Sequence, residues 1–459
     1  MLAIVIDTEL DVVDLNDGLT SLREAIFAAN TVPGVDEIVF ELGNEGPSTI
    51  ALTDGELPIT EALSIVGPGM DLLTIDGQHD SRLFRIDIPF DPDHEQAVAL
   101  SGLTLANGAT TAPGQEGRGG AVFAFVSSLS LSDIRISDSS TSGSSAYGGG
   151  VYSSGEITIS SSVISGNHTT GSGALGGGFW AWSATISDST ITGNATLGGG
   201  ADGGGFHVRD LVMSGTTVSG NTTDGNLSDG GGFISANTTI VGSTISQNHT
   251  TGDNAGGGGF YSGDTTLTDS LVGGNSTDGW RSGGGGFASV SASLVRTAVE
   301  GNQTKGDSSE GGGFVVGNFG VSGSVTLHES IVSGNSTHGD ASGGGGFQAN
   351  GAVSVMRSTV SGNSTTGEAS RGGGINRVLP PGPLDGAVVI RESRVLGNST
   401  HGRESAGGGV SSMSLVELHK SEVDGNSTHG TASNGGGLSA PKGIGVFSST
   451  ISNNSSNGS

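Results

Sequence analysis

The chain has 459 residues, 87 of them Gly and none Cys, with 17 Lys plus Arg against 45 Asp plus Glu, a formal charge of −28. So large an acidic excess argues against nucleic acid and anionic membrane as partners. The lack of Cys excludes disulfides and thiolate metal sites, and no apolar run is long enough to span a bilayer.

Met1 to Ile6 reads as a strand and Asp7 to Gly18 as an acidic turn. Asp11, Asp14, Asn16 and Asp17 in that turn are the one candidate for Ca2+, the only cofactor the sequence suggests. They lack the EF-hand spacing and its distal Glu, so a solvated turn is the stronger expectation. Ser21 to Asn30 reads as a short helix, with Leu22, Ala25, Ile26 and Ala29 on one face. Ser21 and Glu24 make a capping box at its start. A strand leads straight from Met1, so no signal peptide is visible.

Asp17 to Asn30, DGLTSLREAIFAAN, resembles the CSLREA motif of bacterial extracellular right-handed β-helix proteins. Ser21, Leu22, Arg23, Glu24 and Ala25 fit it; Thr20 stands where the motif has Cys. Thr49 to Ile86 is similar to the early coils of those proteins. The resemblance implies a right-handed solenoid that is secreted or displayed on a bacterial surface, often adhesive.

Strands are predicted at Asp36–Phe40, Thr49–Leu52, Leu63–Val66, Leu73–Ile75 and Leu83–Ile86, with turns at Gly67–Gly69 and Asp76–Gly77 and a loop from Asp87 to Glu95. Asn107 follows the strand-like Leu103–Leu105 and is expected to open a first Asn-type turn. Ser139 stands where the later Asn residues fall, and Gly119–Phe123 and Gly148–Tyr152 resemble the later glycine-rich closers.

From Asn167 the chain repeats. Asn167, Asn194, Asn221, Asn248, Asn275 and Asn302 are 27 apart (194 − 167 = 27), and Asn335, Asn363, Asn398, Asn426 and Asn454 continue at wider steps. Asn167 to Asn426 each open Asn-x-Thr-x-Gly, four variable residues, three Gly and an apolar closer, including Phe179, Phe206, Phe233, Phe260, Phe287, Phe314 and Phe347. The residue three before each Asn is Val or Ile, and the one five before is Ser or Thr. A fixed period of this size marks a solenoid. Short β-branched runs between glycines exclude long helices, so each repeat supplies two short strands and a third around its closer.

The expected fold is all-β: a right-handed single-stranded parallel β-helix of the pectate-lyase-like kind with a short N-terminal capping helix. Residues 1–30 are the cap, 31–137 irregular early coils and 138–459 regular coils. Like residues should stack, with one aromatic column from the closers and an Asn column at a turn. The Gly after Asn-x-Thr-x is expected at positive φ. Asp269, Arg296, Glu329, Arg357, Glu392 and Lys420 alternate in sign at one repeat position, which predicts an outer-face charge ladder. Two longer coils, Phe314 to Asn335 and Ile375 to Asn398, should carry loops on one face.

The repeats are similar to those of polymorphic outer membrane proteins and autotransporter passengers. No catalytic residues are assigned. Asp188, Asp210, Asp224 and Asp229 fall at different repeat positions, so they predict no cluster. His338, His401 and His429 share one position and are expected to be solvated turn residues rather than metal ligands. The ten Asn-x-Thr sequons coincide with the structural Asn and are read as turn code, not glycosylation sites. Thr and Ser rows such as Thr190 and Thr192 suggest a lattice-binding face, but Leu271, Arg394 and Glu422 interrupt them.

The function expected is therefore a monomeric extracellular or surface-displayed scaffold or adhesin that binds a glycan or surface, with no evident catalytic centre. The alternative is a polysaccharide lyase or glycoside hydrolase on the same fold, since fold alone does not choose.

Overall fold

The computed structural model describes residues 3–32, 34–43, 46–88, 97–317, 322–378 and 386–457. The chain forms two compact units, Met1–Asn221 (unit 1) and Thr222–Ser459 (unit 2). Each is a parallel β-solenoid whose coils wind right-handed.

Unit 1 begins with its cap. Ala3–Ile6 pairs in parallel with Asp36–Phe40, Ala3 opposite Glu37. The helix runs Leu22–Ala29 and carries the expected capping box. Glu24 N–H donates to Ser21 Oγ at 3.1 Å, and Ser21 N–H to Glu24 Oε2 at 2.9 Å. Leu22, Ala25, Ile26 and Ala29 are buried, so the predicted apolar face is the one that covers the first coils. The early strands lie within a residue or two of the predicted positions. Leu57–Ile59 was not anticipated; it pairs with Phe84–Asp87.

A regular coil holds three strands, as in Phe179–Ser187, Thr190–Thr192 and Ala195–Thr196. The division differs from the prediction. The closer and the aliphatic residue seven positions on, Phe179 and Ile186, share one long strand, and the third strand is a two-residue piece just after the Asn. From Phe314 onward that first strand is split, as in Phe347–Ala349 and Val353–Met356, and the two insertions fall in the same gap, between Phe314–Val316 and Val325–His328 and between Ile375–Arg377 and Val388–Arg391. The insertions thus leave from one corner, although 318–321 and 379–385, like most of the predicted loop at 87–95, lie outside the described residues. Arg377, at the edge of the second insertion, is buried and donates from Nε to Gly351 O at 3.2 Å.

The columns form as expected. In unit 1 the Phe179 and Phe206 rings stack with centroids 4.7 Å apart. In unit 2 Phe233, Phe260, Phe287, Phe314 and Phe347 stack at 4.7–4.8 Å, close to the spacing of neighbouring strands. All seven are fully buried, and each contributes about 2–3 kcal/mol by leaving water.

The Asn column is a buried amide ladder. Asn194 Nδ2 donates to Asn221 Oδ1 and to Ile164 O, each at 3.0 Å, and Asn194 N–H donates to the same Oδ1 at 3.0 Å. In unit 2 the pattern continues through Asn275, Asn302, Asn335, Asn363, Asn398 and Asn426 to Asn454. These side chains spend every amide hydrogen inside the stack, in line with a structural reading of the sequons. The Ser and Thr column adds a second ladder, Ser162 N–H to Ser189 Oγ at 3.1 Å and Ser330 N–H to Ser358 Oγ at 3.0 Å.

Two expectations about turns are corrected. The Gly after Asn-x-Thr-x does not in general take positive φ. Gly171, Gly198, Gly252 and Gly279 have ordinary backbone, and glycine is needed there for space: a Cβ on Gly171 would lie 2.0 Å from Gly143 O. The left-handed residues are instead the one before each Asn, a Gly such as Gly193 at φ 64° in all coils but those of Gln247 and Asn453, and the first of each triplet, such as Gly176 at 72°. The third Gly of the triplet faces the ladder, where a Cβ on Gly178 would sit 3.1 Å from Asn194 Cγ. Asn107 does not start the Asn column. It lies one residue early in left-handed backbone, φ 58°, and Gly108 holds the column position, donating to Ser139 Oγ at 3.1 Å. Ser139 does occupy the column; its N–H reaches Asn167 Oδ1 at 3.0 Å.

The charge ladder in unit 2 is real and lies at a left-handed turn, with φ of 48–52° from Asp269 to Lys420. Arg296 meets Asp269 at 2.6 Å, Arg357 meets Glu329 at 3.3 Å and Lys420 meets Glu392 at 3.9 Å, all substantially exposed.

Candidate functional site

The acidic turn does not bring its four members together around one point. Asp11 is buried and takes Arg23 in a two-pronged contact at 2.8 and 3.0 Å, and accepts Thr53 N–H at 2.7 Å. Burial opposes ionisation of Asp11, but Arg23 and the backbone donors outweigh it and hold its carboxyl below the usual range. Asp14 accepts from Asn16 N–H and Asp17 from Leu19 N–H in local turns. The turn is thus a clasp between the cap and the first coils. His401 and His429 stack at 4.7 Å, and His429 Nε2 meets Ser427 Oγ at 3.0 Å. Among the described residues no three His, Asp or Glu side chains converge as a cation cage.

A different face stands out in unit 1. Parallel strands bring Phe84, Val122, Val151, Phe179 and Phe206 into one inward column. Strand alternation turns the next residue of each away from that column, which aligns Arg85, Phe123, Tyr152, Trp180 and His207, with Phe123 and Tyr152 buried beneath their neighbours. Phe123 and Tyr152 stack at 5.4 Å, and Tyr152 and Trp180 at 5.0 Å. Tyr147, from the preceding loop, reaches Trp180 at 5.8 Å. Two residues further along, Phe125 and Trp182 are about half exposed, at 46% and 51%. The coil of Tyr152 carries one residue more than its neighbour, absorbed as a bulge between Ser153 and Glu156. Bulges re-aim the side chains beside them.

Arginines line the rings. Arg82 and Arg85 lie 5.4 and 5.3 Å from the Phe123 ring. Arg82 is almost wholly committed: it donates to Gly119 O at 2.9 Å, Glu56 at 2.5 Å and Glu116 O at 2.7 Å. Arg85 pairs with Glu116 at 2.9 Å. Arg118 lies 4.7 Å from both Tyr147 and Tyr152 rings and donates to the Tyr152 hydroxyl at 2.9 Å. Arg209 lies 5.0 Å from the Trp182 ring. Burial raises Tyr152 above the ordinary phenol value, with Arg118 opposing, so its hydroxyl stays protonated at neutral pH. Burial lowers His207 to about 4, so its imidazole is neutral there. Arg118 Nε, Trp180 Nε1 and His207 Nδ1 are shielded from solvent and have no hydrogen-bond partner among the described residues.

This face does not show in the repeat pattern, because its residues do not recur from coil to coil. A compositional signal was present: the chain has three Trp and three Tyr, and four of the six are Tyr147, Tyr152, Trp180 and Trp182.

No family model and no curated protein matches this chain. Three solved structures are similar to it. The mannuronan C-5 epimerase AlgE4 A-module of Azotobacter vinelandii is 16% identical, with a TM-score of 0.40, over 85% of this chain and 94% of that one. The AlgE6 A-module from the same organism is 13% identical, with a TM-score of 0.30, over 95% and 97%. ORF18 of Geobacillus virus E2 is 12% identical, with a TM-score of 0.23, over 87% and 60%. At these identities the likeness concerns the fold alone, and the epimerases' activity is not carried over to this chain.

Proposed function

We propose that this protein is a secreted or surface-displayed scaffold that binds a glycan through the aromatic and arginine face of unit 1. Surface display follows the CSLREA-type stretch at Asp17–Asn30 and the autotransporter-like repeats, and is part of the proposal. The observation that carries the binding role is the pair of half-exposed rings Phe125 and Trp182, backed by the stack of Phe123, Tyr152 and Trp180, of which the first two are buried. Flat rings present an apolar face to sugar C–H groups, and flanking donors fix orientation.

The test is binding to immobilised polysaccharides, followed by intrinsic Trp fluorescence. Wild type should bind at least one glycan with a change in emission, and Trp182→Ala should lose the binding while keeping the wild-type far-UV spectrum. Unchanged binding by that variant would remove the face from the reading.

The polysaccharide lyase or glycosidase reading has one observation in its favour, the neutral, unpartnered His207 beside Trp180. A neutral imidazole can accept a proton from a substrate. Shortened or unsaturated products that disappear in His207→Gln would make the face an active site.

A further inference from the structure

We infer that the ligand of this face is an anionic polysaccharide whose acidic groups are met by Arg118 and Arg209. The inference rests on the glycan-binding reading above and narrows it.

The arginines of unit 1 differ in how they are paired. Unit 1 contains six Arg and no Lys. Four of the six meet carboxylates: Arg23 with Asp11, Arg82 with Glu56, Arg85 with Glu116 and Arg135 with Asp71, all at 2.5–2.9 Å. In a chain of charge −28 that is what chance and energy both favour. Two depart from it. Arg118 has aromatic rings and a phenol as its partners, and no carboxylate among the described residues. Among the described residues Arg209 has only its neighbour Asp210, at 3.8 Å, and it lies over Trp182. Both exceptions fall on the face that carries the half-exposed Phe125 and Trp182.

An arginine held flat against aromatic rings keeps its edge donors in a fixed plane, the arrangement that binds carboxylate or sulfate oxygens in pairs. The Arg118 Nε left without a partner marks the same place from a second direction. The two guanidinium groups belong to rows two to three coils apart, roughly 10–14 Å at about 4.8 Å per coil. A single sugar does not cover that distance. A linear chain laid along the coils does, meeting rings between the two charges.

Isothermal titration of the whole chain with a polyuronate, a sulfated glycan and a neutral β-glucan, at low and high salt, tests this. Binding to at least one anionic polymer is expected, weakening as salt rises, with little binding of the neutral glucan. Preference between the two anionic polymers assigns carboxylate or sulfate, and either outcome supports the inference. Arg209→Gln, on an exposed side chain, and Arg118→Gln should each weaken binding about tenfold, as loss of one charge-assisted contact does. If Arg118→Gln does not fold, Arg209→Gln alone decides.

Equal affinity for the neutral glucan, or unchanged affinity in the Arg variants while Trp182→Ala abolishes it, would overturn the anionic assignment and leave glycan binding standing. No binding to any of the three polymers would end both.

Discussion

At the residue after each closer, the two units part ways. Unit 1 has Phe123, Tyr152, Trp180 and His207 there; unit 2 begins with Ile234 and Tyr261 and then turns small or polar, with Ala288, Val315, Gln348, Asn376 and Ser411 in the equivalent register. One residue earlier the units agree, with apolar closers throughout. The inward position is ruled by what lies in the next coil, so it repeats. The position after the closer is not held to one residue type, and that freedom is where binding chemistry can be placed.

The strongest way to break the comparison is to attack the inward side. Phe260→Ala should cost unit 2 about 3–5 kcal/mol, read by chemical denaturation, because the neighbouring rings at 4.7–4.8 Å cannot collapse into the gap. Asn302→Ala should cost about 2–4 kcal/mol. Its Oδ1 takes two donors from Asn275 and its Nδ2 serves Val272 O and Asn335 Oδ1, all buried.

A pH effect of intermediate size belongs to the outward side of unit 2. Glu310, bonded to Gln348, is pushed up to about 7 by burial. Its folded value exceeds the ordinary 4.5, so the folded form holds a proton that the unfolded form has released. The stabilisation, of order 3 kcal/mol, is complete below about pH 4.5 and is lost as pH rises through 7. Glu310→Gln should flatten that profile and melt higher than wild type at pH 8; parallel profiles would remove the argument.

Smaller still, Gly343→Ala should cost about 1–3 kcal/mol, since its Cβ would lie 2.4 Å from Asn376 Nδ2. Gly256→Ala, at the same repeat position with nothing nearer than 3.4 Å, should be neutral in the same melting experiment. Least of all, Arg296→Gln on the exposed charge ladder should leave the melting temperature unchanged within error.

The spacing of Asn194, Asn221 and Phe206 was enough to foretell parallel coils, because stacking forces equal residues onto equal places. The capping helix was legible for a similar reason, in the periodic face of Leu22 and Ile26. Turn conformation was not: whether a Gly is kept for φ or for room depends on the neighbouring coil, as at Gly171. The face around Arg118 and Trp180 was hidden because a binding surface on a repeat protein is made of the residues that break the pattern. Their pairing depends on loops such as the one that brings in Tyr147.

The amide ladder has a consequence for how this chain can be made. Eleven of its rungs, Asn167 through Asn454, lie in sequences that eukaryotic oligosaccharyltransferase accepts, and that enzyme acts on chains still entering the secretory pathway. An asparagine already bearing an oligosaccharide has lost an amide hydrogen and gained a bulk that no closed coil admits. Secretion from yeast or animal cells should therefore yield misfolded, heavily sugared chains, whereas a bacterial host should deliver the native form.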